Sequence, residues 1–168
     1  MRKGDKMFIY AFGDFKEQWK KYLLIFLAVI CTLAVIVITL YIHGGKMPDT
    51  ATCDQIGEYN LITENVSDDI TFLGQFGLCA DKDTVVTDNV KIPSEFNSHY
   101  EKYNDLQQKI GLDLENYKGV TAKRSTYKLE NYENNSKVYY ATLLIYENRV
   151  IGGHISSNIY GEEYRSFR

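Results

Sequence analysis

A chain of 168 residues has room for one domain and an anchor, not for a multidomain machine. Charge divides it: residues 1–22 carry six Lys/Arg against three Asp/Glu, a net of +3, which leaves −6 for the rest. A mildly acidic body argues against a nucleic-acid partner, because replacing phosphate counterions takes basic patches.

In chain order, the first element is short and aromatic. Phe8, Phe12, Phe15 and Trp19 recur at steps of four, three and four, one face of a helix, with Lys16 and Lys20 interleaved. Three readings stay open for residues 1–22: an amphipathic helix on the inner leaflet, a docking helix for a membrane partner, or a loose tail. The piece is too small for an independent cytoplasmic domain.

Residues Leu23 to Ile42 form a run of twenty positions without a charge. At a rise of about 1.5 Å per residue such a helix spans about 30 Å, the hydrocarbon thickness of a bilayer. A buried helix of a soluble domain seldom runs this far without a polar face. A signal peptide has a shorter apolar region and a small-x-small cleavage site, and the nearest small cluster, Thr50-Ala51-Thr52, lies well past the run. The run reads as an uncleaved anchor in the lipid bilayer. Lys16, Lys20 and Lys21 crowd its N-terminal flank while only Lys46 stands near the other, so the N-terminus is expected in the cytoplasm and the C-terminal part outside. Trp19, Tyr22 and Tyr41 suit the two interfacial belts.

Residues 43–66, with His43-Gly44-Gly45 and Pro48, read as a tether. The domain proper is expected over 67–168. Ser67 with Asp68 and Asp69 caps a short helix that runs to Gln75, with Ile70, Phe72, Leu73 and Phe76 on its apolar side and Gly77 after it. Thr84–Ile92 reads as a strand, ended by Pro93. Ser94 then opens the clearest helix, about 95–110, where Phe96, Tyr100, Tyr103, Leu106 and Ile110 make an apolar stripe and Gly111 a stop. Three β-rich segments follow: Val120–Tyr132, Val138–Tyr146 and Val150–Ile159. Turns at Glu133–Ser136 and Glu147–Arg149 separate them. Short turns imply an antiparallel meander. The expected fold class is α+β: one transmembrane helix, then a small domain with an amphipathic helix packed on an antiparallel β-meander.

The outer segment resembles a bacterial family, the domain of unknown function DUF4830. The resemblance rests on Phe72-Leu73-Gly74-Gln75-Phe76-Gly77, Ile92-Pro93-Ser94-Glu95-Phe96, Tyr103-Asn104-Asp105-Leu106-Gln107 and Gly111-Leu112-Asp113-Leu114. It continues through Tyr117-Lys118-Gly119, Leu143-Leu144-Ile145-Tyr146 and Val150-Ile151-Gly152-Gly153. It implies membrane-anchored or secreted bacterial proteins and no particular reaction. In the family an acidic residue usually follows the paired glycines; here His154 stands there, which puts any role of that carboxylate in doubt.

Chemistry-bearing residues are few. Cys53 and Cys79 are the cysteines outside the apolar run. They are either two inert thiols or a disulfide closing a loop of about 26 residues, worth about 3 kcal/mol in the chain-entropy model. His99 and His154 are too far apart in sequence to suggest a metal site, which needs three or four ligands. No nucleophile elbow accompanies Ser156-Ser157. No catalytic residue, metal site or cofactor is therefore expected. Gly152-Gly153 marks a bulge or a close backbone approach, or else a groove in which His154 and a ligand meet the sheet. The first functional reading is a non-enzymatic ectodomain that binds an envelope protein or peptide. The alternatives are an envelope enzyme or enzyme inhibitor that uses His154, and an accessory subunit of a membrane complex.

Overall fold

The computed structural model describes residues 3–43, 47–132 and 137–167, which fall into two compact units divided after Lys46. The first unit is a continuous helix, α1 (Lys3–His43). Within it Gln18–Thr39, 22 residues of mean hydropathy 2.9 with none buried, is long and apolar enough to cross a membrane. Its two threonine hydroxyls bond inward: Thr32 Oγ1 donates to the Val29 carbonyl at 2.8 Å and Thr39 Oγ1 to that of Val35 at 2.7 Å. Those two hydroxyls thereby need no water. Leu23 is exposed on this helix. The expected face of Phe8, Phe12 and Phe15, and the side chain of Ile42, lie outside the described residues.

The second unit is α+β. A hairpin of β1 (Thr50–Cys53) and β2 (Gly57–Asn60) comes first, followed by α2 (Val66–Gln75). Then come β3 (Ala80–Lys91), α3 (Ser98–Gln108), a 3₁₀ turn at Leu114–Tyr117, β4 (Thr121–Leu129), β5 (Tyr139–Tyr146) and β6 (Arg149–Ser157). The last four strands form one antiparallel sheet in the order β3-β4-β5-β6, the expected meander. Glu147 and Asn148, at φ +46° and +59°, make the two-residue turn from β5 to β6. Their left-handed pair matches the twist of the strands it joins. The expected turn at 133–136 lies outside the described residues.

Three expectations change. Most of the tether is not a tether: Cys53, Tyr59, Leu61 and Thr63 are buried, and Leu61 and Thr63 hydrogen-bond the start of β6. The sequence hides this because each strand has only four residues, too few for a visible period. Second, both faces of the sheet are covered, not one. On one face α2, the hairpin and Phe167 enclose Tyr127, Leu143 and Ile155; on the other the 3₁₀ turn brings Leu114 onto Ala122 and Leu144, with rings from α3 packed beside them.

Third, the caps and the inward face of the helices shift. Asn65 rather than Ser67 caps α2, and Asn97 rather than Ser94 caps α3. α3 buries Asn104 and Gln107, while Leu106 is only half-buried. The polar pair is inward because main-chain N–H groups meet it there. Leu114 N donates to Asn104 Oδ1 at 2.8 Å, and Gly153 N donates to Gln107 Oε1 at 2.7 Å. A buried amide so matched costs little, whereas an unmatched one costs a full desolvation penalty. Past α3, Gly111 (φ +77°) lies so close to β1 that a Cβ would stand 2.1 Å from the Thr52 carbonyl oxygen.

Candidate functional site

His154 lies on β6 opposite Thr142 of β5, which in turn faces Thr126 of β4. Directly paired residues share a face, so this row looks towards α3. α3 delivers Tyr103, whose Oη shares a hydrogen bond of 2.9 Å with His154 Nδ1. From the other side the ring of Tyr164 lies on the imidazole, centroids 4.0 Å apart and planes 30° from parallel. Tyr164 is about half exposed. The rings continue along α3 from Tyr103 through Tyr100 to Phe96, at centroid spacings of 5.5 and 4.6 Å. Lys118 sits over the Phe96 ring at 4.5 Å.

The next row of the same face carries Arg124 on β4 and Asp88 on β3. Their side chains pair through two bonds: Arg124 Nε donates to Asp88 Oδ1 at 2.7 Å, and an Arg124 terminal nitrogen donates to Oδ2. The pair sets the electrostatics. Hydrogen bonding from Arg124 holds the Asp88 carboxyl below its usual range. Burial, and then the guanidinium charge, push the His154 imidazole down to about 4. Burial drives the Tyr103 phenol up. At neutral pH the site therefore holds a neutral imidazole, a protonated phenol and a neutralised ion pair.

That arrangement makes stability depend on pH with a definite sign. The imidazole titrates near 4 when folded and near 6.5 when exposed, so the unfolded chain binds more protons between those values. The contribution is complete above about pH 6.5 and is lost as the pH falls towards 4. It amounts to about 3 kcal/mol. The stability difference between the wild type and His154→Phe should accordingly shrink on acidification from pH 7 to 4. A difference that stays constant across that range would contradict the burial of the imidazole.

The two glycines do not leave a groove. A Cβ on Gly152 would meet Leu114 Cδ2 at 3.1 Å and Gln107 Oε1 at 3.2 Å. One on Gly153 would meet the Thr142 carbonyl oxygen at 2.4 Å and the Phe167 ring at 2.5 Å. The space is filled, and the close-approach reading holds for both. A register shift between Leu144 and Ile145, opposite Ile151, places the expected bulge immediately before them. Nor does the disulfide form: Cys53 is a buried free thiol and Cys79 an exposed one. His99 is exposed on α3, away from His154 in sequence and without a bond to it. Among the described residues no three His, Cys, Asp or Glu side chains converge as metal ligands.

Two sets of residues were not visible in the sequence. Arg124 and Asp88 meet only through the β3–β4 register. Asp69, expected only as an acid suited to a helix start, is fully buried and accepts a bond from Tyr127 Oη at 2.6 Å and another from Thr63 Oγ1. Elsewhere, a shallow pocket of about 320 Å³ between the end of β2 and α2 is lined by Asn60, Ile62, Asp68, Thr71, Phe72 and Gln75.

A family model described as a domain of unknown function, DUF4830, matches residues 72–155, half of the chain. The matched interval holds the end of α2, β3, α3, β4, β5 and β6 as far as Ile155; it excludes the hairpin and the segment after Ile155. No curated protein and no solved structure matches.

Proposed function

The chain belongs to the DUF4830 family, and from that premise we propose that it is a single-pass protein of the bacterial cell membrane. In this reading it displays residues 47–167 outside the cell as a non-catalytic binding module for an envelope protein or peptide. The observation that carries the proposal is the Gln18–Thr39 run, apolar and wholly exposed in a chain whose remainder forms a compact unit of its own. An apolar helix of that length suits the hydrocarbon core of a bilayer. The lysines at positions 16, 20 and 21 favour an inside N-terminus.

The site supports binding over catalysis by what its groups are already doing. A general base needs a free nitrogen within reach of a substrate proton and an acidity near the working pH. His154 has one nitrogen engaged by Tyr103, a ring stacked on its face, and an acidity near 4. The carboxylate on the same face, Asp88, is held by Arg124. The half-exposed ring of Tyr164, with the partly buried rings of Tyr100 and Phe96 on the same face, suits recognition instead, since a tyrosine offers an apolar face and a polar tip.

The native cysteines provide the topology test. The protein is expected to stay with membranes through carbonate extraction. Exposed Cys79 should react with a membrane-impermeant maleimide in intact cells, while a cysteine introduced at Asp5 should react only after permeabilisation. The reverse labelling pattern, or a soluble mature form beginning near residue 50, would sink the proposal.

A further inference from the structure

After β6 the chain turns at Asn158–Gly161, where Tyr160 is fully exposed and Gly161 has φ +87°. It then runs back along the outer edge of the sheet. The main chain of the return segment, 162–167, meets β6 at one isolated antiparallel bridge: Ile155 N donates to Arg165 O at 2.8 Å and Arg165 N to Ile155 O at 2.9 Å, and beside it Ser157 Oγ donates to Glu162 Oε2 at 2.6 Å. Its two aromatic anchors straddle the strand. Tyr164 covers His154 on one face, and Phe167 fills the space beside Gly153 on the other, with ring centroids 5.4 Å from Phe76 and 6.0 Å from Phe72. Residues an odd number apart in an extended chain point to opposite sides, so a spacing of three fits an edge strand clasped from both faces.

We propose that the β6 edge, with its His154 and Gly153 sockets, is a strand-binding groove that the chain's own segment 162–167 occupies in cis. Its exogenous ligand is an extended peptide with two aromatic side chains three residues apart; the proposal rests on the binding-module reading.

Three observations support an exchangeable occupant. The family match spans the positions of Phe72, Phe76 and Gly153 but stops at Ile155, before the strap. The strap's main chain pairs with the edge at one bridge, supplemented by side-chain bonds from Ser157 and Lys137 to Glu162, whereas β5 pairs with β6 along its length. And Ser166 Oγ is buried in the closed strap without a hydrogen-bond partner among the described residues, a penalty that opening relieves. A strand added to a free edge gains main-chain bonds for affinity and side-chain pockets for specificity. Competition by the strap lowers the apparent affinity by the fraction of molecules that are open.

The test uses the full chain in detergent micelles and a fluorescein-labelled peptide of residues 161–167. In the wild type, native-state hydrogen exchange should open the Ile155 and Arg165 amides well before those of Ala141 and Leu143. The Tyr164→Ala/Phe167→Ala variant should bind the peptide at least about tenfold more tightly than the wild type, since no strap competes. A peptide with both aromatics replaced by alanine should bind neither protein. Two results would overturn the groove. One is exchange of the Ile155 and Arg165 amides only with global unfolding. The other is a double variant showing no aromatic-dependent peptide binding, whether or not it melts cooperatively. Either failure would leave the maleimide topology result untouched.

Discussion

Gly153→Val should remove most of the stability of the folded unit. The first added carbon would stand 2.4 Å from the Thr142 carbonyl oxygen, which is backbone, and 2.5 Å from the Phe167 ring. Backbone cannot step aside without parting β5 from β6, where Leu143 and Gly153 are paired. Overpacking a tight core costs about 1–3 kcal/mol, and a clash with main chain sits at or above that range. A loss of at least about 3 kcal/mol is a large part of what a small domain has. Gly152→Ala is the informative contrast. Its neighbours at 3.1 and 3.2 Å are the ends of the Leu114 and Gln107 side chains, which can yield by a few tenths of an ångström. Chemical denaturation of the two variants should separate them clearly. A Gly153→Val protein that melts like the wild type but fails to bind its partner would restore the reading of Gly153 as an open groove.

Asp69→Ala should be comparably damaging for the opposite reason, a partner removed instead of an atom added. The Asp69 carboxylate is fully buried and receives the Tyr127 and Thr63 hydroxyls, which tie α2 to β4 and to the segment after the hairpin. Burial, reinforced by the bond to Asp69, pushes the Tyr127 phenol up, so its proton stays available to donate. Without the carboxylate, two buried hydroxyls are left unmatched at about 1–3 kcal/mol each, alongside a small cavity. A total of about 3–5 kcal/mol is expected, with Asp69→Asn losing less because an amide still accepts. Tyr127→Phe combined with Asp69→Ala should cost much less than the sum of the two, as groups sharing one network do. Additive losses in that double-mutant cycle would show that the three side chains do not act as a unit.

How much could be read in advance depended on the range of the interaction. The strands β4, β5 and β6 were legible because β-branched and aromatic runs between turn residues are a local signal. The turn at Glu147-Asn148 was legible for the same reason. The stripe on α3 was legible only in part. Tyr100 and Tyr103 do face the sheet, but Leu106 yields the buried position to Gln107. Periodicity finds an apolar side; it does not know that Gly153 offers an N–H where an amide oxygen can reach. His154 was singled out for its place after two glycines, yet Tyr103, Tyr164 and Arg124, which set its chemistry, come from an earlier helix, a later strap and another strand.

By itself the sequence determined what adjacent residues settle among themselves: an apolar run long enough for a bilayer, the meander, its tight turn and the family. A run of like residues, a two-residue turn and a motif all act within a few positions of the chain. Tertiary structure alone decided the rest. It drew Cys53, Tyr59 and Thr63 into the core from an expected tether and left Cys53 and Cys79 as separate thiols. It also filled the space at Gly152 and Gly153 and buried Asp69 against Tyr127. Each of these depends on which distant segment arrives opposite. That choice belongs to strand register and close packing, where a shift of one residue would send every side chain of a strand to the other face.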